Sequence, residues 1–303
     1  MFRLAHLSDV HLAPLPRAKP VQLLNKRLVG YLNWQLNRRG EMQSEVLQGL
    51  IDCIKGLDVD HVALPGDLVN LALPAEIIRM KSWLLEFGAP EWISVVPGNH
   101  DTYVPGALRA CRAAWGPYMV GDDEEKTAFP YLRRRGNISL IGVNSGIATP
   151  PFIAQGRFGR RQRNKTRALL DEAALRGDFR VVMIHHPPFP NATYWHKRLL
   201  GERRFRAMIA DVGAELILHG HTHLDTQMTI AKPNGTVPVI GVPSASQSLP
   251  AGPGELAHKP ASRFNLFTIE GEPGHWSCVM EEYGYKSDNP GVNRMSRRVL
   301  MAS

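Results

Sequence analysis

Five times in this sequence a short apolar run stops at a cluster of Asp, Asn or His. Residues 4–7 lead to Asp9-Val10-His11, residues 62–65 to Gly66-Asp67, and residues 93–97 to Gly98-Asn99-His100-Asp101. Residues 181–184 lead to His185-His186, and residues 216–218 to Gly220-His221-Thr222-His223. Runs this short, bounded by turn residues, read as buried strands. The stretches between them repeat apolar residues at helical spacing, as in Val46, Leu47, Leu50, Ile51, Ile54 and Leu57. Strand–helix alternation over two-thirds of the chain, then consecutive strands at 237–242, 263–270 and 275–282, predicts a layered α/β sandwich. Its polar clusters sit on loops at strand ends, where such scaffolds present their chemistry.

The same reading predicts helices at 44–57 with Ser44 as cap, from Pro74 to Phe87, at 105–114, up to Arg176, and from Lys197 to Val212. Residues 116–136, rich in Gly, Pro and acids, read as a surface excursion, and Asn293 onward as a flexible basic tail. No linker or repeat divides residues 1–303, so one domain is expected. With 36 basic against 28 acidic side chains the net charge is +8. That excess favours anionic partners such as phosphate esters, nucleic acid or acidic lipid without choosing among them. Cys53, Cys111 and Cys278 lack metal or redox spacing and read as thiols in a reducing compartment. No signal-peptide pattern or bilayer-spanning run is visible, so a cytoplasmic location is expected, with peripheral contact at the inner membrane as a variant.

The clusters carry metal-binding chemistry. Asp9 and His11, two apart at a strand end, can grip one cation. His221 and His223 share the spacing, but on a loop they can diverge to two neighbouring ions. Asp67, placed after a glycine, has two oxygens with which to bridge them. Asn99 offers a neutral oxygen and His185 a further nitrogen. A nitrogen and oxygen set without thiolates suits Mn, Fe or Zn.

In order, D-x-H, G-D-x-x-N, G-N-H-D, H-H-P-P and G-H-x-H resemble the calcineurin-like metallophosphoesterase superfamily, over residues 9–223. Within it the chain looks like the bacterial cyclic-nucleotide phosphodiesterase branch. The resemblance implies a four-layer α-β-β-α sandwich with two mixed β-sheets flanked by helices. It implies that Asp9, His11, Asp67 and His223 hold one metal, and Asp67, Asn99, His185 and His221 the other. His100 would be the non-ligand histidine beside the scissile phosphate, with Asp101 orienting its ring and Asn99 also contacting substrate. Asn70 stands where many members carry an acid. The implied activity is phosphodiester hydrolysis at a dinuclear centre, with His100 as acid or transition-state stabiliser. A nucleotide-lipid pyrophosphatase at a membrane surface and a DNA nuclease are the alternatives. The nuclease is weakened by the absence of an appended nucleic-acid domain, and a non-enzymatic scaffold by the complete ligand set.

His186 is read as a substrate contact or a packing residue, and His196, with Tyr194 and Trp195, as lining the entrance or as a plain surface-loop residue. His6, His61, His258 and His275 read as structural or surface residues. Ser145 shows no partnered base. The arginines at 133–135 and 157–167 read as a solvated face, with a phosphate-binding rim as the alternative. Segment 17–40 is basic and amphipathic, with Val21, Leu24, Leu28, Leu32 and Leu36 on one helical face near Tyr31 and Trp34. It reads as a cap over the site or as an interfacial helix touching anionic lipid.

Overall fold

A computed structural model describes residues 1–38, 42–123, 128–248, 259–286 and 289–302; Arg39 and His258 lie outside the described residues. The first half runs β1 (Phe2–His6), α1 (Arg27–Asn33), α2 (Ser44–Gly56), β2 (His61–Leu64), α3 (Pro74–Phe87), β3 (Ile93–Val95) and α4 (Ala107–Trp115). Then come β4 (Tyr131–Arg135), β5 (Ile138–Val143), β6 (Gly156–Arg157), α5 (Arg160–Leu175), β7 (Phe179–Ile184), β8 (Leu199–Leu200), α6 (Glu202–Val212) and β9 (Leu216–His219). Strands β10 (Thr226–Lys232), β11 (Gly235–Gly241), β12 (Arg263–Glu272), β13 (His275–Lys286) and β14 (Asn289–Met301) complete the chain.

Two six-stranded mixed sheets form, ordered β14-β13-β12-β1-β2-β3 and β10-β11-β9-β7-β5-β4. Strand alternation separates two cores. Phe179, Val181 and Met183 of β7 join the core that includes the first sheet, while Val182 and Ile184 join the core under α5 and α6. The same parity holds in β5 and β9, with Leu140 and Leu216 on one side and Ile141 and Ile217 on the other. Strands buried on both faces explain why these segments are continuous apolar runs. Helices α2, α3 and α4 contribute to the core of the first sheet, so helices flank both sheets as expected. No helix among the described residues is long and apolar enough to cross a membrane.

Local chemistry sets the element ends. Pro74 opens α3, and the Glu76 carboxylate accepts hydrogen bonds from the amides of Asn70, Leu71 and Leu73 at 2.7–3.0 Å. Ser44 does not cap α2. Its hydroxyl donates to the Ala13 carbonyl at 2.6 Å, tying the helix to the loop after β1.

Three further expectations are corrected. The segment from Asn293 is no loose tail: it belongs to the thirteen-residue β14, which pairs with β13 and forms an edge of the first sheet. Residues 131–135 of the supposed excursion are strand β4, paired with β5. Arg133 is not solvated, because strand alternation turns it inward beside Tyr131. Its guanidinium donates to the carbonyls of Pro90, Ile93, Pro117 and Val120 and closes the loop after α4.

Truncating Arg133 leaves several carbonyls without donors. Arg133→Met should therefore cost about 3 kcal/mol in urea denaturation, whereas Arg134→Met should be near neutral.

Acid should also weaken the fold. Burial and the neighbouring His219 hold His6 down to about 3, and burial with the Arg135 and Arg133 charges holds His61 well below its ordinary value. In the unfolded chain both rings protonate near 6.5. The unfolded state thus binds more protons as pH falls from there, and stability drops by up to about 1.4 kcal/mol per histidine per pH unit. Urea midpoints at pH 7 and pH 5 measure this; equal midpoints would mean the rings protonate without unfolding.

Candidate metal centre

The loops after β1, β2 and β3 meet those after β7 and β9 at one end of both sheets. Ser8 bridges in parallel to Ser244, and the Gly220 amide donates to the His185 carbonyl at 3.1 Å. Gly98 and Gly220 are required by close approach: a Cβ at either would collide with Asp67 or with Ser8 and Asp9. Of eight non-glycine residues with positive φ among the described residues, five are Asp9 (54°), His11 (40°), Asp67 (54°), His221 (71°) and His223 (57°). Left-handed backbone at such residues costs energy and clusters where a side chain must be aimed.

The seven residues the resemblance implied as ligands converge. Asp9, His11 and His223 form one group of potential ligand atoms lying within 4.8 Å of one another, and Asp9, Asp67 and His185 another. His11 Nε2 is 3.3 Å from His223 Nε2, which is 3.2 Å from Asp9 Oδ1. His185 Nε2 lies 3.2 Å from both Asp67 Oδ2 and Asn99 Oδ1. The His221 ring centroid is 5.1 Å from that of His185.

The tautomers fit a metal. His11 Nδ1–H donates to the Val69 carbonyl at 3.3 Å, and His185 Nδ1–H to the Pro65 carbonyl at 2.7 Å. His221 Nε2–H donates to the Lys197 carbonyl at 2.9 Å. A carbonyl only accepts, so in each neutral ring the other nitrogen carries a lone pair. In the neutral ring the lone pairs of His185 Nε2 and Asp67 Oδ2 would face each other at 3.2 Å, so a proton or a metal ion belongs between them. Ligands about 2.1 Å from one ion stand about 3.0–3.4 Å apart, so the observed spacings suit a divalent metal ion.

Charge is arranged accordingly. Burial would raise the Asp67 carboxyl, but His185, His100 and His11 hold it well below the usual range. Burial disfavours a charged His185, yet Asp67 and Asp9 outweigh it and raise the ring to about 9. A proton there occupies the cation's place. Burial and the neighbouring rings of His186 and His185 keep His221 neutral, as ligation needs.

Asp101 and His186 do other work. Asp101 does not touch the His100 ring; its carboxylate accepts from the amides of Asp67, Leu68, Val69 and Gly98 at 2.8–3.2 Å. The ring is oriented by Asn70, whose backbone carbonyl accepts from His100 Nδ1–H. His186 is fully buried, with Nδ1 on the Ser145 hydroxyl and Nε2 on the Ala154 carbonyl, so it supports the loop and does not line the cavity. Ser145 therefore does have a histidine partner, but both are sealed from solvent.

A cavity of about 500 Å³ opens over the centre, bounded by Asp67, Asn99, His100, His221 and His223. His196 is absent from its wall and stacks on Tyr194, which is present. Sequence reasoning missed Lys26, Tyr103 and Lys197 in the wall. Tyr103 stacks on His100, three positions along the same loop, and Lys26 Nζ lies 4.6 Å from the centre of the Tyr103 ring. The three-residue spacing was the one available signal.

The family model for calcineurin-like phosphoesterases matches residues 2–225. A dimetal phosphatase from Danio rerio has a similar fold, with TM-score 0.61 and 14% identity over 100% of this chain and 99% of that one. Purple acid phosphatase PPD1 from yellow lupin gives TM-score 0.62 at 13% identity, over 97% of this chain and 52% of that one. No curated protein matches in sequence. The chain belongs to the calcineurin-like phosphoesterase family. It is a metal-dependent hydrolase of the phosphoesterase class.

Asp67 belongs to both the His11–His100 and the Asp9–His185 groups. Equilibrium dialysis with manganese should give about two ions per wild-type chain, whereas Asp67→Asn should lose at least one. Undiminished stoichiometry in the variant would remove Asp67 from its bridging position.

Proposed function

We propose that the protein is a phosphodiesterase whose centre holds two divalent ions of Mn, Fe or Zn type in a reducing, cytoplasmic compartment. The placement of His100 carries this reading. It lines the cavity beside Asp67, and its ring edge meets His11 at 4.7 Å between centroids. With Nδ1–H committed to the Asn70 carbonyl, Nε2 is the nitrogen that serves a substrate oxygen. When bound, a pair of divalent ions neutralises phosphoryl charge and supplies an acidic water near neutral pH.

The chain's own residues then do three things. Asp67 Oδ1 accepts from the His100 amide at 2.7 Å and, with Asp101 on four neighbouring amides, fixes the loop before substrate arrives. His100, when protonated at both nitrogens, gives its Nε2 proton to the departing alkoxide or uses that N–H to stabilise the charge growing on it. Val29, Tyr103, Phe152 and Tyr194 give the cavity an apolar wall that accommodates a second organic arm on phosphorus. That wall supports a diester over a monoester. The free thiols of Cys53, Cys111 and Cys278 support the compartment.

His100→Ala should keep its metal and lose about 10²–10⁴-fold in kcat. The wild type should hydrolyse bis(4-nitrophenyl) phosphate faster than the monoester. A monoester preference would reject the diesterase reading, and full turnover in the variant would reject the role of His100.

A further inference from the structure

Segment 20–38 has three sides. Lys26, Val29, Gly30 and Asn33 line the cavity. Arg27, Tyr31 and Trp34 face the body: Tyr31 packs on the core, Trp34 is 4% exposed, and Arg27 donates to the carbonyls of Leu71 and Ala72 at 2.9 and 2.7 Å. The third side is an apolar ridge open to solvent, with Leu24 81%, Leu28 47%, Leu32 52% and Leu36 81% exposed. Within α1, at 100° per residue, Leu28 points away from the cavity-facing Val29, Gly30 and Asn33 and Leu32 lies to their side, while Leu24 precedes the helix.

The ridge is not alone. Across the opening, Phe152 is 78% exposed and Trp195 67%. The two loops are joined, since Gln155 donates to the Trp195 carbonyl at 2.9 Å and the Ala154 amide to that of His196 at 2.8 Å. Phe152 stands out at the cost of a left-handed backbone, φ 64°. Backbone strain that holds an aromatic ring in water points to something that takes the ring out of it.

Nor can the ridge close inward. Lys26 Nζ donates to the Thr149 hydroxyl and the Ile153 carbonyl, each at 2.7 Å, and latches the segment to the Phe152 loop. Arg27 holds the other side. The segment is therefore fixed in place with its leucines outward, which disfavours a mobile lid.

We propose that this face docks on an anionic lipid bilayer and seats the cavity mouth at the headgroup layer. Resting on the phosphoesterase reading, it follows that the substrate is an amphiphile whose phosphoester headgroup enters while its tails stay in the bilayer. Charge chooses lipid over a neutral partner. Residues 10–40 contain no Asp or Glu, and the exposed Arg17 and Lys19 precede the ridge in sequence. Leucine, aromatic and basic side chains on one face are the composition of interfacial helices, with the cations reaching headgroup phosphates.

Flotation of the full-length protein with phosphatidylcholine vesicles, with and without phosphatidylglycerol, tests the docking. The wild type should float with anionic vesicles and far less with neutral ones. Leu24→Gln/Leu28→Gln/Leu32→Gln should reduce flotation by about tenfold or more. Arg17→Gln/Lys19→Gln should reduce it on anionic vesicles only. Both variants should hydrolyse bis(4-nitrophenyl) phosphate like the wild type, which shows that they are folded. A wild type that stays out of the floating fraction, or a leucine variant that floats equally well, overturns the proposal. So does a lipid-free dimer in sedimentation that the leucine variant abolishes, because the ridge is then covered by a second copy. Flotation needs no turnover, so absence of any hydrolysis would strike the phosphoesterase reading separately.

Discussion

The Asp101 carboxylate, buried and holding the amides of Asp67, Leu68, Val69 and Gly98, is the interaction on which the centre depends. Those four donors belong to the loops after β2 and β3, which carry Asp67, Asn99 and His100. Both loops leave regular structure inside the protein, where an unpaired amide is costly. One carboxyl group meets that cost for all four amides and holds the loops in a single arrangement. The histidines beyond are then aimed by carbonyls, as Val69 aims His11 and Pro65 aims His185.

The centre is the least comfortable part of the fold and is held by the most comfortable part. Five of its residues sit in left-handed backbone, and its carboxylates and imidazoles are crowded within a few ångströms. Around it the sheets are filled by aliphatic side chains with almost no exposure, such as Leu140, Val181 and Leu216. Strain at functional positions persists only when the surroundings over-determine them.

The candidate ligands were legible because each rests on a local pattern. An apolar run ending in Asp-x-His or Gly-Asn-His-Asp contains both the strand and the turn that aims the side chain. Four other features were not, because they depend on distant partners. Asp101 sits next to His100 in sequence, yet its partners are backbone amides, which leave no trace in side-chain spacing. Arg133 reads as part of a charge run until β4 is paired, and only then does the alternation with Tyr131 turn it inward. The ridge of segment 20–38 shows helical periodicity, but periodicity identifies a face without saying what that face meets. Strand β14 was hidden by its basic composition, which resembles a solvated tail and in fact lines a sheet edge.

The candidate ligands divide between the two sheets: Asp9, His11, Asp67 and Asn99 follow strands of the first, His185, His221 and His223 strands of the second. Metal affinity and inter-sheet packing are therefore thermodynamically coupled, and each strengthens the other by the same free energy. A methylene removed between the sheets, at Leu140 or Met183 for instance, loosens the grip on the ions without touching a ligand. Core residues that never meet substrate are in this sense part of the metal-binding equilibrium.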